Sequence, residues 1–584
     1  MGQKIDGKWS FYSTDDLIDA VNKLSAGLIE LGVKAGDKIA MTAYKNRPEW
    51  VVVDLACQQI GAVDVPLYPT ISPREYEYIL NDAGVSYAFV GAGDLYDKVK
   101  TAQSNVPSLK GIYTMDKQAG KPFWEEVFRD GQEAEIERRK AAIDPMSLAT
   151  IIYTSGTTGN PKGVMLSHHN ITSVVSATED IIPVSAGENV LSFLPLCHIF
   201  ERAAIYVYLY HGAEVYFTGT DNLGGETGDL QTTKPYFFTS VPRLLEKVYE
   251  AIYNKGLALE GTKKKLFFWA LSLTDDYEYD KSYGMMDSMK RSIADKLIFS
   301  KWRAALGGNV KCIVTGAAPC PSKILRVFSA AGIPIREGYG LTETSPTLTA
   351  NTIHEGCAMI GTVGMTVDNV EIWIDTSDGD YREGEGEILA HGPNVMMGYY
   401  QKPEANAEVF IEKDGKRWFK TGDVGKFVKG PNGKDFLKIT DRKKELLKTS
   451  GGKYVAPAPI EGKFRENFLV EQIMVVGDKR KFVSAVIVPA PDALKDWCKE
   501  NGVTWSNLSE VIKNEKVIAA YQGICDEVNP HFSHIEQVKK FKILDCTWDP
   551  VKTDGSAAEL TPTMKLKRRV VQEKYEKEIE DMYS

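Results

Sequence analysis

The stretch Tyr153-Thr-Ser-Gly-Thr-Thr-Gly-Asn-Pro-Lys-Gly-Val-Met-Leu-Ser-His168 combines three glycines, several hydroxyl residues and one lysine. It follows directly on the apolar run Leu148-Ala-Thr-Ile-Ile152. An apolar run that leads into a Gly/Ser/Thr-rich segment predicts a buried strand followed by a phosphate-binding loop. Glycines let the backbone approach a polyanion, while N–H groups and hydroxyls donate to its oxygens. An ordinary flexible loop is the alternative, but the many donors beside Lys162 favour phosphate binding.

Two common nucleotide-binding motifs are excluded. A Walker loop requires Gly-x-x-x-x-Gly-Lys followed by Ser or Thr, and no Gly-Lys pair in this chain precedes either residue. Gly338-Tyr-Gly340 continues as Leu-Thr-Glu343, so the dinucleotide-binding pattern Gly-x-Gly-x-x-Gly is not completed. The predicted phosphate loop therefore belongs to neither class.

Composition narrows the classes of protein that the chain can represent. Its 584 residues predict two or more domains, and hydrophobic and charged fractions of 43% and 26% are typical of a soluble globular protein. A net charge of −9 argues against nucleic-acid binding. The eight cysteines include no C-x-x-C pair, which favours a reducing cytoplasm with the thiols as small buried residues.

Membrane insertion is not expected from the sequence. The first eight residues are polar, unlike a signal peptide, and the apolar stretches fall short of the roughly 18 residues that a membrane span needs. We therefore expect a cytoplasmic protein, with peripheral membrane contact left open.

The order of apolar patterns predicts an α/β fold. Residues 15–32 have helical spacing, and residues 38–43 and 62–67 have the character of short strands. Residues 249–301 are predicted to be rich in helix. The best domain boundary lies at Thr440-Asp-Arg-Lys-Lys444, after a predicted turn at 430–434 between strands at 425–428 and 436–439. This gives domains 1–440 and 441–584, the second with a strand pair at 473–476 and 482–488 and a basic amphipathic end at 564–579.

The glycine-rich stretch resembles the signature of the adenylate-forming (AMP-binding) enzymes, which include acyl-CoA synthetases, firefly luciferase and peptide-synthetase adenylation domains. The resemblance extends over nearly the whole chain, through Gly338-Tyr-Gly-Leu-Thr-Glu-Thr344, Phe419-Lys-Thr-Gly-Asp-Val-Gly425 and Leu560-Thr-Pro-Thr-Met-Lys-Leu-Lys567. It implies a large N-terminal domain of two sheets with helices and a distorted β-barrel, followed by a small mobile α/β C-terminal lid.

The resemblance also assigns a nucleotide site. It implies that Tyr339 stacks on adenine, Thr342 contacts phosphate, Asp423 accepts hydrogen bonds from ribose, and Glu343 binds Mg²⁺ together with Thr154. A carboxylate is a hard oxygen ligand suited to a metal bound mainly by nucleotide and water. The full set implied to bind ATP or AMP is Thr154, Ser155, Gly156, Thr157, Thr158, Gly159, Lys162, Gly316, Ala317, Ala318, Glu337, Gly338, Tyr339, Gly340, Thr342, Asp423, Arg442 and Lys448.

The remaining roles concern the lid and the acyl group. By resemblance Asp441 is a hinge, and Gly451, Gly452 and Lys453 line a passage for the pantetheine arm of coenzyme A. Lys565 is expected to neutralise charge at the reacting carboxylate and α-phosphate, although a surface lysine is the usual fate of such a residue. His198 is expected to organise the carboxylate, the alternative being a packed core histidine. Arg202 stands where some bacterial long-chain members carry an aromatic gate, which leaves the gate unidentified.

Together these features predict ATP-dependent activation of a fatty acid to acyl-AMP, followed by thioester formation with coenzyme A. Segments such as His198-Ile-Phe-Glu-Arg202 and Ser533-His-Ile-Glu-Gln-Val-Lys-Lys-Phe541 resemble those of long-chain fatty acyl-CoA synthetases. Two alternatives remain: a fatty acyl-AMP ligase that serves a carrier protein, and a non-catalytic nucleotide-binding or scaffold protein. The second is disfavoured because Glu343, Asp423 and Lys565 are all present.

Overall fold

The computed structural model describes residues 1–154, 160–179, 181–225, 227–377, 381–451, 453–550, 552, 557–561 and 564–584. Of the predicted site residues, Ser155, Gly156, Thr157, Thr158, Gly159 and Gly452 lie outside these ranges. In the ranges that are described, no helix has the length and apolar character needed to cross a bilayer.

The strands are numbered here in chain order. They are β1 Gly2–Ile5, β2 Lys8–Phe11, β3 Lys38–Thr42, β4 Val63–Pro66, β5 Val85–Val90, β6 Gly111–Thr114, β7 Leu148–Thr154, β8 Lys162–Ser167, β9 Asn189–Ser192, β10 Glu214–Phe217, β11 Phe237–Ser240, β12 Cys312–Thr315, β13 Ile335–Tyr339, β14 Thr349–Ala350, β15 Met365–Thr366, β16 Glu371–Asp375, β17 Gly386–His391, β18 Gly398–Tyr399, β19 Phe410–Lys413, β20 Lys416–Lys429, β21 Asp435–Arg442, β22 Leu447–Lys448, β23 Tyr454–Val455, β24 Val470–Val476, β25 Val483–Pro489 and β26 Val538–Ile543.

The α-helices are numbered in the same way. They are α1 Thr14–Glu30, α2 Pro48–Gln59, α3 Pro73–Ala83, α4 Leu95–Gln103, α5 Glu133–Ala141, α6 His168–Ala177, α7 Ile199–Tyr210, α8 Asp229–Thr233, α9 Pro242–Leu257, α10 Gly261–Ser272, α11 Met285–Ala294, α12 Ser300–Ala305, α13 Ser322–Ala330, α14 Pro403–Val409, α15 Pro457–Phe464, α16 Pro491–Glu500, α17 Leu508–Val511, α18 Glu515–Val528, α19 Arg568–Lys574 and α20 Glu576–Asp581. Short 3₁₀ turns span Trp124–Val127, Thr220–Asn222, Thr342–Thr344 and Asn529–His531, and a π-helical turn spans Asp295–Phe299.

Two large sheets form the body of the N-terminal part. The first has the strand order β18-β8-β7-β4-β3-β5-β6, with parallel pairing from β7 to β6. The second has the order β15-β14-β13-β12-β11-β9-β10-β1-β2 and is parallel from β13 to β1. Parallel strands require crossover connections, which helices provide here, so the predicted α/β class is confirmed.

Helices fill the space between the two sheets. The largest core cluster joins Ile39 and Phe89 of the first sheet to Val190 and Phe237 of the second, with Val52 of α2 among them. Helix α1 agrees with the predicted span: Ser13 and Asp16 form a capping box at its start, and Gly32 follows its end with φ +80°. The predicted strands at 38–43 and 62–67 are confirmed as β3 and β4.

A third sheet is antiparallel, with the order β16-β17-β20-β19 and with β21 paired to β20. It includes the predicted turn at 430–434, where the backbone N–H of Gly430 donates to Lys434. The pairing described for these five strands does not close into a ring. The expected barrel therefore stays a prediction.

The C-terminal part has its own small sheet of β24, β25 and β26. The predicted strand pair is confirmed as β24 and β25, and its core gathers Val475, Ile487 and Tyr521. This part docks on the N-terminal part where the Phe468 ring lies 4.8 Å from that of Tyr253. Strand β21 ends at Arg442, near the predicted boundary; the division into two domains and the mobility of the second stay predictions.

Candidate functional site

The phosphate-loop region is framed by two antiparallel strands. In the register of β7 and β8, Thr154 pairs with Lys162, so the ends of the seven-residue connection are held side by side. Strand β18 extends this edge, and the ring of Tyr399 lies 5.1 Å from the Lys162 ammonium. The hydroxyl of Tyr399 donates to Glu343 Oε1 at 2.8 Å. The predicted phosphate lysine and the predicted magnesium ligand are therefore linked through a tyrosine that the sequence did not single out.

Glu343 is held in a 3₁₀ turn, Thr342–Thr344, whose backbone is pinned when Met396 N–H donates to the carbonyl of Glu343 at 2.9 Å. Only glycine fits at position 340, just before this turn, because a Cβ there would lie 1.5 Å from the carbonyl oxygen of Pro346. A cluster of three or more metal-ligating His, Cys, Asp or Glu side chains is not found in the described ranges. One carboxylate and the Thr154 hydroxyl fit a Mg²⁺ ion that takes its other ligands from phosphate and water.

The predicted adenine side of the site is formed by parallel neighbours β12 and β13. Gly316, Ala317 and Ala318 follow the end of β12, and Ala317 adopts φ +68°. Gly316 faces Gly338, since a Cβ there would lie 3.5 Å from the Gly338 carbonyl oxygen. Glu337 is buried and accepts the Cys320 N–H at 3.0 Å, and burial raises the pKa of its carboxyl to about 8.

Asp423 lies opposite this adenine side, on β20. Its Oδ2 accepts the hydroxyl of Tyr339 at 2.7 Å, and its backbone N–H donates to Thr421 Oγ1 at 3.1 Å. Arg442 is its register partner on β21, with Nε 3.4 Å from Asp423 Oδ1. Burial raises the pKa of Asp423, while the positive charge of Arg442 opposes the shift. Three predicted nucleotide-binding residues thus form one connected group.

Lys565 reaches this group from the C-terminal end of the chain. Burial lowers the pKa of its ammonium to about 8, and the nearby Arg442 contributes to the same shift. The negative charges of Asp423 and Glu343 act in the opposite direction. Because the same lysine also lowers the pKa of His198, it is placed among predicted residues of the nucleotide and acyl sides.

His198 caps the start of α7, where its Nδ1 accepts the Phe200 N–H at 3.2 Å. Burial and the charge of Lys565 lower the pKa of its imidazole to about 4. The ring is therefore neutral at physiological pH, with the proton on Nε2, because Nδ1 is the acceptor. A neutral Nε2–H can donate to a carboxylate.

The predicted hinge residue Asp441 is buried between the two parts of the chain. Its Oδ1 accepts the Arg442 N–H at 2.6 Å, whereas its Oδ2 has no hydrogen-bond partner among the described residues. Burial raises the pKa of this carboxyl to about 7, and the charges of Glu445 and Glu461 raise it further, against the opposing charge of Arg568.

Two of the residues predicted for the thiol passage, Gly451 and Lys453, lie in the hairpin between β22 and β23. Thr449 N–H donates to the Lys453 carbonyl at 2.9 Å, and a Cβ at Gly451 would lie 4.0 Å from Thr449 Oγ1, an ordinary contact. Lys448 belongs to the same hairpin: its N–H donates to Asp478 at 3.1 Å and its ammonium lies 4.8 Å from the Tyr454 ring.

A buried ion cluster under the site was not foreseen from the sequence. Arg202 of α7 has no exposed surface, and its guanidinium bonds Asp54 at 2.6 Å, Asp64 at 2.7 Å and the Thr150 hydroxyl at 2.9 Å. Thr150 lies on β7, the strand that ends at Thr154, while α7 begins next to His198. The cluster therefore joins the strand before the phosphate loop to the helix that carries His198. It also engages every nitrogen of the Arg202 guanidinium, which argues against a gating role for this residue.

Comparison with known proteins agrees with this geometry. The family model described as AMP-binding enzyme matches residues 4–400, and the model of the AMP-binding enzyme C-terminal domain matches residues 444–584. The chain belongs to the AMP-binding enzyme family. Members of this family use ATP, and the residues that the structure gathers around Lys565 are those that the resemblance assigned to the nucleotide.

Several relatives are similar over almost the full length. A long-chain-fatty-acid–CoA ligase of Mycobacterium bovis is 34% identical over 99% of this chain and 93% of its own length. A long-chain-fatty-acid–CoA ligase of Homo sapiens is 34% identical over 100% of this chain and 84% of its own. Among solved structures, the adenylation domain of a carboxylate reductase from Mycobacterium chelonae matches with a TM-score of 0.73 at 21% identity, covering 100% of this chain and 88% of that one. That last similarity supports the fold.

Proposed function

We propose that this protein is a long-chain fatty acid–CoA ligase, which joins a fatty acid to coenzyme A at the expense of ATP. The observation that carries the proposal is the place of Lys565, partly buried, with its charge acting on Asp423, Glu343 and Arg442 and lowering the pKa of His198. A cation from the end of the chain, set between a predicted nucleotide site and a predicted acyl site, suits a reaction that joins the two. The names of the full-length relatives supply the substrate class.

In the first half-reaction a carboxylate oxygen of the fatty acid attacks the α-phosphorus of ATP, and pyrophosphate leaves. Lys162 and Lys565 neutralise the negative charge that builds on the phosphate oxygens. His198, neutral and protonated on Nε2, donates to the attacking carboxylate and orients it. Asp423 holds the ribose hydroxyls, with Tyr339 fixing one of its oxygens. Mg²⁺, held by Glu343 and Thr154, offsets phosphate charge when it is bound.

In the second half-reaction the thiol of coenzyme A attacks the carbonyl carbon of the acyl-adenylate, and AMP leaves. The chain needs no nucleophile of its own for either step. We assign the second step to a rearranged lid, 441–584, that turns about Asp441 and brings Gly451, Gly452 and Lys453 to the site. The half-satisfied carboxyl of Asp441 supports this assignment.

Pyrophosphate release measured with fatty acids of increasing length, with and without coenzyme A, tests the activity. We expect release with each long-chain acid, acyl-AMP as the product when coenzyme A is left out, and acyl-CoA when it is present. A product that forms only with a phosphopantetheinylated carrier protein would favour the acyl-AMP ligase instead. Absence of acid-dependent release with every acid would contradict both enzymes and favour the scaffold alternative.

The same assay also measures the preference for acyl chain length. Each methylene that leaves water contributes about 0.8 kcal/mol, so kcat/KM should rise about fourfold per carbon until the acyl site is filled. Apolar side chains are available beside His198, because Phe193, Leu194 and Phe238 lie in one buried cluster. A maximum at acetate or a preference for an aryl acid would refute the long-chain assignment and leave the adenylation chemistry intact.

A further inference from the structure

Helix α11 and the π-helical turn after it present an apolar stripe to solvent. Met285 is 91% exposed, Met286 72%, Met289 60%, Ile293 43% and Leu297 41%. Residues 285, 289, 293 and 297 recur every fourth position, so they lie along one face of the helix. Fifteen large apolar side chains are exposed in the described part of the chain, and five of them are in this stripe. Solvent-exposed apolar residues are normally scattered, so this concentration marks an interaction surface.

The opposite face of the same helix fastens it to the protein. Ala294 and Ile298 are buried in the second core cluster. The guanidinium of Arg291 lies 3.7 Å from the centroid of the Tyr283 ring and bonds Asp276 at 2.6 Å. The helix thus has one face satisfied by the fold and a second, apolar face that has no partner among the described residues.

Basic side chains accompany the stripe. Three of the five basic side chains in residues 285–303 are paired with carboxylates: Lys290 with Asp287, Arg291 with Asp276 and Arg303 with Asp295. Lys296 and Lys301 are exposed, and neither has an ion-pair partner within the described ranges. An exposed apolar face flanked by lysines is the pattern of a helix that lies in the plane of a membrane surface. The positive charge of these two lysines favours a surface of anionic lipids, although such a surface repels the rest of this negatively charged protein.

We infer that helix α11 and the turn at Asp295–Phe299 dock the protein on an anionic phospholipid surface. Met285, Met289 and Ile293 enter the boundary between headgroups and acyl chains, while Lys296 and Lys301 contact lipid phosphates. Membrane docking is a property separate from the proposed ligase activity. A bilayer is also where a long-chain fatty acid concentrates.

Co-sedimentation of the full-length protein with vesicles tests the inference without ATP or fatty acid, so its outcome is independent of the proposed reaction. The probes are vesicles of phosphatidylcholine alone and of phosphatidylcholine mixed with phosphatidylserine. We expect binding to the mixed vesicles, weakened about a hundredfold by Met285→Gln/Met289→Gln/Ile293→Gln. Lys296→Gln/Lys301→Gln should weaken that binding about thirtyfold, with little change on phosphatidylcholine alone.

The matched control is Ile18→Gln/Met146→Gln/Ile518→Gln, which removes three apolar side chains that are 53%, 57% and 43% exposed elsewhere on the surface. It should bind vesicles as the parent does. Equal binding by the helix variant and the parent would overturn the inference. So would a parent protein that is dimeric in light scattering and a helix variant that is monomeric, because a second copy would then cover the stripe.

Discussion

Two groups of buried charges lie close together in this protein and differ in how completely they are satisfied. Around Arg202 each guanidinium nitrogen has partners, with Nη1 and Nη2 both bonded to Asp64 and Nη2 also to Asp54. The Lys565 ammonium, by contrast, has no hydrogen bond or ion pair to a described residue, and burial lowers its pKa to about 8. The satisfied group maintains the fold, and the unsatisfied group is available to a charged ligand.

The largest effect is expected in the satisfied group. Arg202→Met leaves Asp54 and Asp64 buried without a counter-charge, which typically costs about 3–5 kcal/mol of stability. The urea midpoint of the N-terminal part, followed by tryptophan fluorescence, should fall accordingly. Adding Asp54→Asn and Asp64→Asn to the variant should restore part of the loss.

Arg138→Met is the matched control, because Arg138 pairs with Glu135 on the surface, with 68% of its side chain exposed. It should leave the midpoint almost unchanged. If Arg202→Met also left the midpoint unchanged, the ion cluster would have no role in maintaining the fold.

A smaller effect is expected from the link between Tyr339 and Asp423. Tyr339→Phe removes the hydrogen bond to Asp423 Oδ2, and a bond to a charged group contributes about 1.5–3 kcal/mol. With Asp423 less well oriented toward ribose, the KM for ATP should rise at least about tenfold, while the KM for the fatty acid stays the same. Tyr236→Phe is a control on an unrelated tyrosine. An equal rise in both KM values would indicate a general distortion of the site.

The smallest effect concerns pH. The pKa of Lys565 is lowered to about 8, so its ammonium is mostly charged below pH 8 and becomes neutral above it. Adenylation should therefore be constant up to about pH 8 and fall about tenfold over the next pH unit or so. Lys565→Arg keeps its charge at higher pH, so it should be slower but should lack this basic limb. A parent profile that is flat up to pH 10 would contradict a titrating Lys565.

Periodicity was sufficient to predict local structure. Helix α1 and strands β3, β4, β7, β24 and β25 follow from apolar spacing, and the helix-rich segment at 249–301 is helical as expected. These elements are determined by neighbours a few residues apart. The signature segments also indicated that Tyr339, Asp423 and Glu343 belong to one site, and the structure does connect Tyr339 to Asp423.

The partners of Arg202 and Glu343 could not be predicted in the same way. Arg202 meets Asp54 and Asp64 across separations of 148 and 138 residues, so that only the packing of α2, β4 and α7 brings them together. Tyr399 belongs to a two-residue strand and is not marked by any motif. Two charged residues within the apolar helix α7, Glu201 and Arg202, were the available signal for the cluster, because buried charges need partners.

Lys565→Ala, assayed separately in the two half-reactions, tests most directly whether the incompletely paired charges perform the chemistry. Pyrophosphate release with a fatty acid should fall about 10²–10³-fold, which corresponds to the loss of one preorganised charge contact of about 3–4 kcal/mol. Thioester formation from supplied acyl-adenylate and coenzyme A should stay close to the parental rate. Equal loss of both half-reactions in a folded variant, or loss of neither, would contradict the role given to Lys565.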